Sequence, residues 1–195
     1  MQIQQNPVGV DSIGEQQATA SVDRLPIDNV ADIQKAYAAI TALAANGKLD
    51  STSFKYDCSG EKGGTVTYYT NNGNLTLISH RYNEYSHYEA EVHYFVQNQN
   101  LFFAFQKEMV WSFDSGPEGA TKDRVTERRI YVVAGQAVKC LEKKYEIRKH
   151  ANVNPDPASV ANHTKDCNLS KPQIVAFKRL KTYWKSRPPE CLDMK

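Results

Sequence analysis

The chain has 195 residues and a mass of 22.0 kDa, with 41% hydrophobic and 24% charged residues, the balance of a globular rather than a disordered chain. Its formal net charge of +2 is too small to mark a nucleic-acid partner. No run of about 18 apolar residues is present to span a membrane.

Residues 1–27 are poor in aromatics and interrupted by Pro7 and Pro26, and they read as a flexible leader. The opening "MQIQQNPVGVDSIGEQQ" has neither the basic nor the apolar region of a signal peptide. A polar, Gln-rich start of this kind is common in mature chains whose leader has been removed, and export to the periplasm, the cell surface or the outside is the expectation. Residues 28–195 read as a single α+β domain. A helix is predicted over 29–46, because Val30, Ile33, Tyr37, Ile40 and Ala44 recur at three- and four-residue steps. Asp28 or Asn29 can cap it, and Gly47 stands where a helix ends.

From 51 to 148 the period changes to two. Seven strands are expected: "SFKYDC", "GTVTYYT", "LTLISHRY", "YEAEVHYFV", "LFFAFQKEMVWSF", "TERRIYVVA" and "AVKCLEKKYEIR". Their short links force an antiparallel meander, a twisted sheet or half-barrel, with one face expected under one or both helices. Eleven Tyr against three Met lean the same way, since Tyr suits strands and half-wet surfaces. A C-terminal helix is predicted over 171–186, with Ser170 as cap and Pro172 in the first turn. Its inner face is Ile174, Phe177, Leu180 and Trp184, and Pro188 and Pro189 end it.

Cys58, Cys140, Cys167 and Cys191 include no CxxC pair, and their even number and wide spacing predict two disulfides in an oxidising compartment. Of three connectivities, sequence neighbours favour Cys167–Cys191 and Cys58–Cys140.

A hairpin pattern repeats along the sheet: Tyr69, Asn72-Gly73, Leu75; Phe95, Asn98-Gln99, Leu101; and Tyr131, Ala134-Gly135, Ala137. Asn-Gly suits a tight turn, and the aromatic before each turn is expected to pair with the aliphatic after it. Over residues 54–148 this pattern resembles the hairpin repeats of uncharacterised exported bacterial proteins and lipoproteins of the Bacteroidetes type. The resemblance implies an exported β-meander and no particular activity. The Gly-rich "YxGxWxxG" pattern of MORN repeats is lacking.

Three constellations can carry chemistry. On an extended strand His87, Glu89, Glu91 and His93 share a face, with His80 and Glu84 near the preceding turn. Two imidazoles and two carboxylates can bind a divalent metal or share a proton, although residues two apart stand roughly 7 Å apart and need a neighbouring strand to close a site. The 114–124 loop, with Gly116, Pro117 and Gly119 at its tip, is entered by Trp111 and Phe113 and left by Arg124, a composition suited to partner binding. Phe102, Phe103, Phe105 and neighbouring Tyr residues can cup an apolar ligand. The basic residues Lys171, Lys178, Arg179, Lys181, Lys185 and Arg187 read as the solvated face of the last helix.

No GxSxG elbow, P-loop or GxGxxG motif is present. The sequence therefore points to an exported, non-enzymatic binding domain without a cofactor. It would engage a protein, peptide or cell-envelope glycan through its exposed sheet face or the 114–124 loop, and an inhibitor or immunity protein is one form of this reading. The alternatives are a metal-dependent hydrolase centred on His87, Glu89, Glu91 and His93, and a carrier of a small apolar ligand.

Overall fold

The computed structural model describes residues 25–186 and 189–192, so most of the expected leader lies outside the described residues. Helix α1 spans Val30–Ala45. Asn29, rather than Asp28, caps it: its side-chain oxygen accepts from the backbone of Ala31 at 2.9 Å and Asp32 at 3.1 Å. At the other end Gly47 takes φ +62°, Gly47 N–H donates to Ala44 O, and Lys48 N–H donates to Leu43 O. This pair of bonds is a Schellman stop, and it turns the chain directly into the sheet.

Eight antiparallel strands follow in sequential order as an open sheet: β1 (Asp50–Cys58), β2 (Lys62–Asn71), β3 (Asn74–Glu84), β4 (Tyr88–Gln97), β5 (Asn100–Phe113), β6 (Thr121–Val133), β7 (Gln136–Arg148) and β8 (His163–Thr164). The expected α+β meander is present with one more strand than the period shows, because two residues of β8 are too few to carry a pattern. β6 also begins five residues earlier than expected. Lys122, Asp123 and Arg124 look like loop residues, yet each is paired across from β5.

The repeat is a structural repeat. Asn72-Gly73, Asn98-Gln99 and Ala134-Gly135 all take positive φ at both positions, three turns of one type at one end of the sheet. The strand after each turn carries one extra residue, a bulge opposite Tyr69/Thr70, Phe95/Val96 and Tyr131/Val132. The extra residue changes the expected pairing. Tyr69 faces Leu77 rather than Leu75, Phe95 faces Phe103 rather than Leu101, and Tyr131 faces Lys139 rather than Ala137.

The helices lie on opposite faces of the sheet, where a cover on one face was expected. Ile33, Ala36 and Ile40 of α1 pack on Leu77, Phe95, Phe103 and Tyr131, so the aromatics of the repeat form its seat. On the other face α2 (Lys171–Thr182) lays Phe177 and Leu180 on Tyr68, Ile78, Tyr94, Ala104 and Ile130. Ser170 precedes α2 without capping it by its side chain; its hydroxyl donates to Cys167 O at 2.6 Å. Both helices cover the half of the sheet nearest the tight turns. In the other half, segment 149–162 crosses β6 and β7 on the α1 side, where Lys143 donates to Pro157 O and Arg129 to Asn162.

The disulfides are Cys58–Cys191 and Cys140–Cys167, not the expected pairs. Cys58 ends the edge strand β1 and Cys140 lies in β7, with five strands between them, so the two cannot meet. The chain after α2 instead returns to β1, where Asp57 N–H donates to Glu190 O, while the short turn Cys167–Ser170 rests beside β7. Both bridges are of the kind an oxidising compartment favours. Among the described residues no helix is long and apolar enough to cross a membrane.

Candidate functional site

Residues paired across a sheet share a face, so register decides which side chains meet. One row on the α1 side reads Thr65, Arg81, Glu91, Lys107, Glu127, Lys143. The next row out reads Gly63, Asn83, Glu89, Met109, Val125. Beyond the edge of α1, and short of segment 149–162, these rows floor an open trough of about 560 Å³ lined by Thr65, Arg81, Asn83, Glu89, Lys107 and Met109 among others. That volume is in the range of small-ligand sites.

Arg81 Nε and Glu91 Oε1 are 2.8 Å apart, and His93 Nε2 lies 2.8 Å from the same oxygen. Burial pushes the Glu91 carboxyl up, but bonds and charge from Arg81 and His93 outweigh it and hold its pKa below the usual value. The Asn83 amide, the Glu89 carboxylate and the Lys107 ammonium find no partner among the described residues. The floor therefore joins an internally satisfied ion pair to three groups free to bond outward.

Glu89, Glu91 and His93 do share a face, as expected. His87 sits in the turn before β4 and stacks on Trp111 with ring centroids 4.0 Å apart. No three His, Cys, Asp or Glu side chains among the described residues gather closely enough to hold a metal ion. Trp111 Nε1–H donates to Ser86 O, and Phe113, a residue 74% exposed, meets the indole edge-on at 5.8 Å. Trp111 and Phe113 follow Met109 on the same face of β5, next to the residues that line the trough, whereas Arg124, opposite Val110, points to the α2 side. The structure does not bring these three together. The loop itself shrinks to 114–120 and is pinned, with Asp114 receiving Arg148 at 2.9 Å and Ala120 O accepting from Asp114 N–H.

Arg124 instead lines a second hollow of about 450 Å³ with Glu108, Val110, Thr126, Lys144 and Glu146. Most charges there are paired: Glu108 holds Arg128 at 2.6 Å, Lys144 is 3.3 Å from Glu142, and Glu146 holds Lys122 and Arg148. The space beside Phe103, Phe105 and Tyr131 is about 230 Å³, and Phe102 and Phe103 are buried beneath α1. On α2, Lys181 donates to Gln99 O, and in the 3-10 turn Tyr183–Lys185 that follows, Lys185 lies over Trp184; Arg187 is outside the described residues.

A polar network runs beneath α2. His80, 1% exposed, pairs through Nε2 with the Tyr56 hydroxyl at 2.8 Å and stacks on Tyr82 at 4.6 Å. Burial, helped by the charge of Lys62, pushes its pKa down to about 4. Tyr88 donates to Glu108, which also accepts from Gln106 and Arg128. His80 lies within the strand expected over 75–82, and its contact with Tyr56 follows from the register of β1, β2 and β3, which the sequence does not show. Arg81, Asn83 and Lys107 likewise join the site only through register, since each lies on a different strand from the His87–His93 row.

No protein-family model, no curated protein and no solved structure matches this chain.

Proposed function

We propose that the protein is an exported, non-enzymatic binding domain that takes its partner in the trough on the α1 side of the sheet. One observation carries the reading: Asn83, Glu89 and Lys107, from three adjacent strands, line one open trough with their polar groups unpaired among the described residues. Polar groups left without partners on a rigid sheet are the groups a ligand can satisfy. The pinned 114–120 turn and the division of Trp111 and Phe113 from Arg124 favour the sheet face over the loop. The two disulfides support export.

The test compares wild type with the Asn83→Ala/Glu89→Ala/Lys107→Ala variant on peptide and glycan arrays, with circular dichroism as a check on folding. Wild type retains members of one array and the folded variant loses them. Equal retention by the variant, or no retention by wild type, contradicts the reading. A hydrolytic activity abolished by His93→Ala would favour the enzymatic alternative instead.

A further inference from the structure

We infer that the trough takes a short neutral oligosaccharide, with Trp111 and Phe113 as the platform on which a sugar ring stacks; this rests on the trough being the binding surface. Four observations converge on that ligand. First, β2 to β5 are each hydrogen-bonded to a neighbour on both sides. The floor thus offers side chains only, and no backbone edge to pair with an extended peptide. Second, its charges cancel: Arg81 and Lys107 face Glu89 and Glu91. A polymer strongly charged in either sense would meet groups of its own sign, whereas an uncharged ligand meets none. Third, the unpaired Asn83 amide, Glu89 carboxylate and Lys107 ammonium supply both donors and acceptors, which suits hydroxyl groups that act as both.

Fourth, the floor continues into aromatic surface. Lys107, Met109, Trp111 and Phe113 occupy alternate positions of β5 and so share its face. From Lys107 to Phe113 this line runs roughly 20 Å at about 3.4 Å per residue, long enough for several linked sugar rings. Trp111 is held in place by its bond to Ser86 O and by the His87 ring, so little side-chain entropy is lost when a ligand stacks near it. The C–H face of a pyranose is apolar while its rim is polar, and along this face of β5 an aromatic surface follows directly on a hydrogen-bonding floor.

Calorimetric titration with short neutral oligosaccharides of glucose and of N-acetylglucosamine tests the inference, with a peptide pool as the parallel arm. Saturable binding to an oligosaccharide is expected, and it should change little with added salt because the ligand carries no charge. Trp111→Ala should weaken it at least about tenfold, the scale of an aromatic anchor. Trp111→Phe should restore part of the loss, and Arg124→Ala, on the opposite side, should leave it unchanged. If the peptide pool alone binds, and Asn83→Ala/Glu89→Ala/Lys107→Ala abolishes that binding, the oligosaccharide inference is overturned while the binding face stands. If neither arm binds, both fall.

Discussion

A methyl group at position 64 would lie 2.6 Å from the Arg81 carbonyl oxygen and 2.7 Å from the Tyr56 hydroxyl. Glycine there lets the Tyr56 ring cross the strand and reach His80. Gly64→Ala should therefore cost roughly 2–4 kcal/mol, from overpacking and from separating two buried polar groups. Gly63→Ala, whose added carbon meets nothing nearer than 3.5 Å, should cost little. Urea unfolding of the two variants checks the contrast. His80 makes a second prediction. Burial keeps it neutral in the folded protein down to about pH 4, while the unfolded chain titrates near 6.5. Between these values the unfolded state binds more protons, so stability is complete above about pH 6.5 and falls as pH drops toward 4. The loss is roughly 3 kcal/mol. Burial raises the Glu91, Glu127 and Glu142 carboxyls, but their cationic and hydrogen-bonding partners lower them further. Their contribution is therefore present above about 4.5 and disappears only at lower pH. Urea midpoints measured at intervals from pH 7 to 4 should show the slope, and His80→Phe should flatten it.

At the scale of elements, the helices and the three tight turns are legible because their signals are local. The three- and four-residue stripe, a cap at 28 or 29, Gly47 and the doublets at 72–73, 98–99 and 134–135 each need only a few neighbouring residues. The middle turn also exposes a weakness: Gln99 takes φ +67° without being glycine. Gln99→Gly should stabilise the protein by about 1 kcal/mol, read as a raised urea midpoint, because it removes left-handed backbone strain from a turn whose bond to Lys181 uses only the backbone. The disulfide partners are not legible, since they depend on where α2 delivers the chain after crossing the sheet. Cys58–Cys191 closes a separation of 133 residues and Cys140–Cys167 one of 27. Loop entropy assigns them roughly 5 and 3.5 kcal/mol, so the Cys58→Ala/Cys191→Ala variant should be the less stable of the two double variants. Non-reducing peptide mapping should recover the 58–191 link.

Over the whole molecule, two helices shield one half of a long sheet and leave much of the other half uncovered. The polar row of Glu89, Glu91 and His93 is legible from alternation alone. Its surroundings are not, because Arg81, Asn83 and Lys107 join it through register, and each bulge moves register by a residue. A reader of β4 alone sees a row of ligands; the sheet turns that row into the floor of a trough. The same bulges place Tyr69, Phe95 and Tyr131 beneath or beside α1, so the repeat organises the covered half and leaves recognition to the open one. The proposal that the open half of the α1 side is the working surface is tested most directly by amide chemical-shift mapping. The ¹⁵N-labelled protein would be titrated with the array member it retains. Perturbations are expected to centre on Thr65, Arg81, Asn83, Glu89, Lys107 and Trp111. Perturbations centred instead on Arg124, Thr126 and Lys144, on the opposite side, would contradict it.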